Sequence, residues 1–441
     1  MRHRLFAYPG VTVALASLFA LPTATGALAL AKRRPALQGC TVSVPTPNPI
    51  FAAAEGDGAR RAQDDDSDSE DSDDGDDGDG DDDDADDDDD SPAGFNVPGS
   101  DTCMAISGTA TTGMQYDGYR IKAQAKAAAK AAGLAALDTT TFPITASFRL
   151  ETGQALANGL YLSTALEFSF DTPNGGDNPT FVEASMTLGP YTFGVTDSWF
   201  DFWTGEDFVL VARVPSRTVG LAGINRAVTD KVTFSLSAET LESNQNSIQL
   251  PDGARVPDGV ARLVYDDGTL TLHTAAAYHD VPATALSPGR LGRAGIVGAT
   301  WQADLFGKST TISGQVAGAI NAAPYIGSQL DRRSVAGLLV ADDATRGWSG
   351  VVSIGRDLSD TWSANAYVSR YDLYLLQSGS KAGHLRIDRL SANLVWKPLD
   401  GFKAGVEGSI AWQDAAISGR LASIPLAARQ NSVQVFLERT F

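Results

Sequence analysis

The residues best suited to act on a solute lie between 197 and 216. Asp197, Asp201, Glu206 and Asp207 are interleaved there with Trp199, Phe200, Phe202, Trp203 and Phe208. Clustered carboxylates beside a water-filled passage favour cations. The alternating aromatics let the same segment bury one side against a wall. The competing reading is an outward loop whose aromatics pack on their neighbours. Residue types for covalent chemistry are sparse. Of the four histidines, His3 lies in the N-terminal apolar stretch, and His273, His279 and His384 are scattered. His279 and Asp280 are adjacent, and adjacent strand residues point to opposite faces. Zinc-ligand spacing, a phosphate loop and a nucleophile elbow are all missing from the sequence. A cofactor-free, non-enzymatic role is expected, with no nucleic-acid partner.

Two further charged segments stand out. Residues 120–138 are alanine-rich, which favours helix, and Lys122, Lys126 and Lys130 recur every four residues on one face. Like charges at that spacing repel, so an anionic partner such as lipopolysaccharide phosphate would relieve them; a solvated lysine face is the equal alternative. The other segment is acidic. Residues 64–90 hold 20 of the 54 Asp and Glu and no Lys or Arg. Without them 34 acidic residues balance 34 basic ones, so the net charge of −20 belongs to this block. With no apolar side chain larger than Ala85, it is expected to be disordered. Its Asp-Gly-Asp pieces lack the glutamate that closes an EF-hand loop, so exchangeable divalent ions are expected there rather than a built metal site.

The elements that position these residues read as strands. In 144–151, Ile144, Ala146, Phe148 and Leu150 alternate with Thr145, Ser147, Arg149 and Glu151. Segments 160–170 and 402–412 alternate likewise, with charge confined to one side. Such period-two patterning marks strands with one apolar and one wet face. Short links fall at 153–159, 189–190, 228–231, 266–268, 305–308, 357–360 and 397–401. Long links fall at 118–141, 171–180, 197–216, 242–258, 280–290, 321–346, 372–384 and 414–430. Seven short turns and eight long loops connect 16 strands, provided that 334–341 belongs to a loop. This is the pattern of an all-β transmembrane antiparallel barrel over 103–441 with periplasmic turns and long outer loops. Val433, Val435, Leu437 and Phe441 share one face of the last strand. A terminal Phe441 is expected to close the barrel and to be the signal read by the barrel-assembly machinery.

The N-terminal stretch supplies an address. Arg2 and Arg4 precede an apolar run to about Ala31, and Ala-Leu-Ala sites at 27–31 suit cleavage near 29–31. Residues 1–31 therefore read as a signal peptide, and 32–102 as a periplasmic segment. Leu37-Gln-Gly-Cys40 is similar to a lipoprotein box but is separated from the apolar run by Lys32-Arg33-Arg34-Pro35. Two cysteines, Cys40 and Cys103, in an exported chain favour one disulfide.

Three passages carry a family likeness. Gly94-Phe-Asn-Val-Pro-Gly-Ser-Asp-Thr-Cys103, followed by Met104-Ala-Ile-Ser-Gly108, resembles the opening of the alphaproteobacterial porins. Gly194-Val-Thr-Asp-Ser-Trp-Phe-Asp-Phe202 is similar to that family's fifth strand entering its constriction loop, and Glu438-Arg-Thr-Phe441 matches its terminus. The resemblance covers about 93–441. It implies a homotrimeric, 16-stranded outer-membrane diffusion channel for small hydrophilic solutes, with an inward-folded third loop. Asp197, Trp199, Asp201, Trp203, Glu206 and Asp207 would line its constriction, with Arg149, Glu167 and Arg262 on the pore wall and the two arginines as a facing basic side. The chain departs from the family in its longer inter-cysteine segment, in Ala105 and Thr111 where strand one usually has a basic residue, and in Glu167 where arginine is common. Each departure favours cations. The alternative is a barrel whose loops serve surface interaction or adhesion; a barrel hydrolase ranks third.

Overall fold

The computed structural model describes residues 94–121, 138–172, 180–203, 205, 208–240, 243–244, 247–248, 256–281, 289–327, 344–377, 380–418 and 423–441. Among the described residues one closed antiparallel sheet is formed, in which short strands at Phe95–Asn96 and Thr139–Thr141 are added to sixteen long strands. The long strands are β1 Cys103–Ile121, β2 Ile144–Ala155, β3 Tyr161–Thr172, β4 Thr180–Leu188, β5 Tyr191–Asp197, β6 Thr218–Thr229, β7 Val232–Thr240 and β8 Asp258–Asp266. Then follow β9 Leu270–Val281, β10 Arg290–Leu305, β11 Lys308–Ile320, β12 Ala344–Ser359, β13 Trp362–Gln377, β14 Ser380–Leu399, β15 Phe402–Ser418 and β16 Ser423–Thr440. Each strand pairs with its sequence neighbours, and β1 pairs with β16 from Thr109↔Thr440 to Ile121↔Ala428. Phe441 completes the seam: its N–H donates to Gly108 O at 3.0 Å, and the Gly108 N–H donates to Phe441 O at 2.9 Å. The ring sits where a Cβ on Gly108 would stand, 2.6 Å from Phe441 Cζ. Closure leaves no open edge, which is what a sheet in lipid requires.

The alternation expected from sequence sets the faces. Phe148, Leu166, Val316, Val352, Leu390, Val406, Val433 and Val435 are exposed on the outside. Their sequence neighbours Glu167, Gln315, Ser353, Ser391, Glu407 and Gln434 point inward. In a soluble protein such a band would be unstable; in a membrane it is the solvated surface. Short turns join β4 to β5 at 189–190 and β10 to β11 at 306–307, as expected.

Two expected long links are shorter in the fold. Most of 372–384 and 414–430 is strand, because β13 runs to Gln377, β14 starts at Ser380, β15 runs to Ser418 and β16 starts at Ser423. In β13 and β14 the apolar side of these extensions turns inward, with Tyr371, Leu373, Leu375 and Ile387 buried, so the apolar-outward alternation of the membrane strands is reversed there while ladder bonds and cross-strand pairs such as Arg370–Asp388 (2.5 Å) continue on the other face. Residues 334–341 lie outside the described residues, and the ring closes at 16 strands without them.

Candidate functional site

The segment joining β5 to β6 is the least regular part of the barrel and the most buried. Phe200, Phe202, Trp203, Phe208, Leu210 and Val214 are each 5 % exposed or less. It leaves the wall at Asp197, paired with Thr218. At its base Ser198 N–H donates to Arg217 O at 2.9 Å. Arg217 N–H donates to Asp201 Oδ2 at 2.6 Å, and its guanidinium lies 3.6 Å from Asp201 Oδ1. The guanidinium also lies 3.8 Å from Glu239 and 3.7 Å over the Tyr325 ring. Glu239 in turn accepts from Ser198 Oγ, Trp199 N–H and Ser237 Oγ. Burial pushes the Asp201 carboxyl above its usual range, against the pull of Arg217. Burial lowers the Arg217 pKa, but Asp201, Tyr325 and Glu239 outweigh it and leave it raised.

From this base the segment runs along the inner wall. Trp199 packs over Gly223 of β6, where a Cβ would stand 2.5 Å from its ring, and under Arg262 of β8. Phe200 O meets His273 Nε2 of β9 at 3.1 Å. Phe202 fills the space above Gly298 of β10, whose Cβ would fall 2.1 Å from its ring. Trp203 N–H donates to Gln315 Oε1 of β11 at 2.7 Å, and its indole N–H to Ser353 Oγ of β12 at 3.0 Å. Phe208 stacks edge-on against Tyr367 of β13, whose hydroxyl donates to Leu210 O. Val209 and Leu210 N–H both donate to Glu407 of β15, at 2.8 and 3.2 Å. Arg389 of β14 donates to Val211 O at 3.2 Å. On the return, Gly327 (φ +85°) presses against Val214, where a Cβ would come within 2.5 Å of backbone. The contacts thus span β6 to β15.

Opposite them, the inner faces of β16 and β1–β4 are acidic. Arg149 of β2 is enclosed by Glu151 at 2.7 Å, Glu167 at 2.7 Å and Glu183 at 2.8 Å. Three carboxylates around one guanidinium leave a net charge of −2. Asp117, Asp171 and Glu438 add to the same wall, accepting from Ser432, Thr145 and Thr111 respectively. Lys403 of β15 pairs with Glu438 at 2.8 Å.

Several expected positions move. Asp197 is half-buried at the end of β5; Thr196 reaches Glu183 inside the barrel, so alternation sends Asp197 to the other face. Asp201 is spent on Arg217. Trp199 and Trp203 are buried against the wall. Arg149 does not form a basic side, because its three carboxylates outnumber it. Arg262 lies behind Trp199 and donates to Ser235 Oγ at 3.0 Å, so it is shielded by the segment. Glu206, Asp207, Lys122, Lys126, Lys130 and Cys40 lie outside the described residues. Cys103 is buried, and no free cysteine occurs among the described residues. Glu151 and Glu183 were missed. Glu151 alternates with Arg149 and was visible on the charged face; Glu183 lies in a nine-residue strand with one charge and gave no signal of its own.

A closed 16-stranded antiparallel barrel with an apolar outside and a charged inside is an outer-membrane channel architecture. The chain belongs to the porin family whose model is described as the porin subfamily, which matches residues 91–414. It is an outer-membrane β-barrel, and its class is that of channel proteins rather than enzymes. Three solved structures are similar in fold. The outer membrane channel DcaP of Acinetobacter baumannii aligns with TM-score 0.60 at 13 % identity, over 79 % of this chain and 100 % of that one. The anion-selective porin from Comamonas acidovorans aligns with TM-score 0.52 at 11 % identity, over 77 % and 100 %. Salmonella typhi OmpF, in a complex with daunomycin, aligns with TM-score 0.50 at 9 % identity, over 77 % and 98 %. Among curated proteins no sequence matches.

Proposed function

We propose that this porin is a cation-preferring diffusion channel for small hydrophilic solutes and ions, narrowed by the segment 198–217. The observation that carries the reading is the Arg149 cluster, where Glu151, Glu167 and Glu183 outnumber the one guanidinium across from a segment anchored from β6 to β15. A passage between these two walls has a fixed negative charge on its hydrated side, and such charge enriches cations. The Comamonas porin is anion-selective; the charge of this wall points the other way. The test is a planar-bilayer recording under a KCl gradient. A reversal potential of the sign for potassium supports the reading, and one of the sign for chloride overturns it.

Around this core stand six subsidiary proposals. The chain assembles as a homotrimer, which mass measurement in mild detergent tests. Residues 1–31 are removed near 29–31, and 32–102, with the acidic block 64–90, stays periplasmic; N-terminal sequencing and surface labelling test both. Cys40 bridges Cys103, which non-reducing peptide mapping would show. Lys122, Lys126 and Lys130 contact lipopolysaccharide, and Phe441 is read by the assembly machinery; lysine substitution and deletion of Phe441 address these in turn.

A further inference from the structure

The long link that follows β11 turns into the barrel at its start. Ala322, Ala323, Tyr325 and Ile326 are each 3 % exposed or less. Ala323–Ile326 makes one 3₁₀ turn, which ends at Gly327 in the left-handed region. Its seat on the inner wall is cut from bare backbone. A Cβ on Gly292 of β10 would stand 2.2 Å from Asn321 O, and one on Gly347 of β12 would stand 2.6 Å from Ile326 Cδ1. Alternation puts both glycines on the lumen side, Gly292 with the buried Ile296 and Gly347 with the buried Val351. The turn, the return of the 198–217 segment and the inward side chains Leu373, Leu375 and Ile387 of β13 and β14 form one apolar cluster. Leucines on the inside of a water-filled barrel would ordinarily be wetted. Here they are dry, so this side of the lumen is filled.

Tyr325 sits where the turn meets the 198–217 segment. Its hydroxyl donates to Asp258 Oδ2 of β8 at 3.0 Å. The same carboxylate lies 2.9 Å from His279 Nδ1 of β9 and accepts from Asp280 N–H at 3.3 Å, so it is fixed to the wall. On its other side the Tyr325 ring lies 3.7 Å from the Arg217 guanidinium and edge-on to Phe200 at 4.9 Å. Arg217 is otherwise loosely held. Its nearest carboxylate oxygens, on Asp201 and Glu239, are 3.6 and 3.8 Å away, and its Nε and Nη1 are buried with no hydrogen-bond partner among the described residues. A flat cation short of hydrogen bonds takes its orientation from the ring beneath it. Arg217 in turn holds the base of the segment, through Asp201 and Ser198. We infer that residues 322–327 are a second narrowing element of the pore and that Tyr325 is its positioning residue, which seats the base of 198–217 through Arg217. The inference rests on the reading that 198–217 narrows the pore. It adds that the width depends on a residue outside that segment, and that solutes are confined to the side of the Arg149 cluster.

The test is single-channel recording from the full-length protein in planar bilayers, with heat-modifiable gel mobility to establish that each variant is folded. Tyr325→Phe keeps the ring under Arg217 and should keep one steady open level. Tyr325→Leu keeps apolar bulk without the ring face and should lose the steady level, the current wandering among several. Arg217→Lys keeps the charge without the flat plane and should reproduce that loss, and the two changes together should do no more than either alone, because they break one contact. Gly292→Val drives a side chain into the backbone at Asn321 and should push the turn toward the lumen, lowering conductance with Tyr325 and 198–217 unaltered in sequence. If Tyr325→Leu does not fold, Arg217→Lys and Gly292→Val carry the test. Native conductance and a steady level in both Tyr325→Leu and Gly292→Val, with Gly298→Leu altering conductance, would overturn the inference and leave the role of 198–217 standing. Equal unsteadiness in Tyr325→Phe and Tyr325→Leu would also overturn it, because the ring would then not be what positions Arg217. If Gly298→Leu too has native conductance, the narrowing role of 198–217 falls and takes the inference with it.

Discussion

Replacing Glu151, Glu167 and Glu183 together with Gln converts the Arg149 cluster from a net charge of −2 to +1 with little change of shape. Its effect can be scaled from the geometry. At about 0.15 M salt the Debye length is about 8 Å, and a charge of −2 seen from about 5 Å through water stabilises a monovalent cation by about 0.9 kcal/mol. An anion is disfavoured by as much, and the difference of about 1.8 kcal/mol corresponds to roughly 20-fold cation preference. In 1 M salt, with a Debye length of about 3 Å, the same charge gives only about threefold. The substituted cluster should invert the preference to about fourfold for anions in dilute salt. The assay is the reversal potential across a planar bilayer at both ionic strengths, with single-channel conductance as the check that the pore remains open. An unchanged reversal potential at low salt would refute the reasoning, because the cluster could not then border the narrow part of the path.

Three other outcomes follow from the same structure. Arg217→Ala leaves Asp201 and Glu239 buried without their cation; removing one partner of a buried pair costs about 3–5 kcal/mol, and limited trypsin digestion should cut within 198–217 faster than in the native chain. Gly298→Leu drives a side chain into the Phe202 ring and should push the segment off the wall, lowering single-channel conductance; an unaltered conductance means that the segment does not narrow the pore. Deleting 64–90 should leave a folded barrel and reduce cation preference in dilute salt, with little change near 1 M, where charge is screened within about 3 Å.

Alternation along each strand was enough to determine the barrel. Ile144 to Leu150 and Phe402 to Trp412 state which side meets lipid and which meets water, and period two leaves no other register. Turn residues at 189–190 and 306–307 fixed the order of short and long connections. Strand ends were less legible, as at 372–384, because there the apolar residues, Leu373 and Leu375, turn inward and are buried, which reverses the apolar-outward pattern that marks a membrane strand while its hydrogen bonds persist. The chemistry of the pore was less legible still. A list of carboxylates in 197–216 does not say that Asp201 turns to Arg217, that Asp197 falls on the other face, or that Arg149 meets Glu151, Glu167 and Glu183. Ion pairs between strands depend on which residues the register sets opposite one another, and Glu183 reaches Arg149 only because β3 brings β2 and β4 within side-chain range. Sequence alone determined that one face of the sheet is charged; the closing of the sheet into a ring, with a long segment tethered along part of its inner wall, decided which charges remain beside the path of a solute.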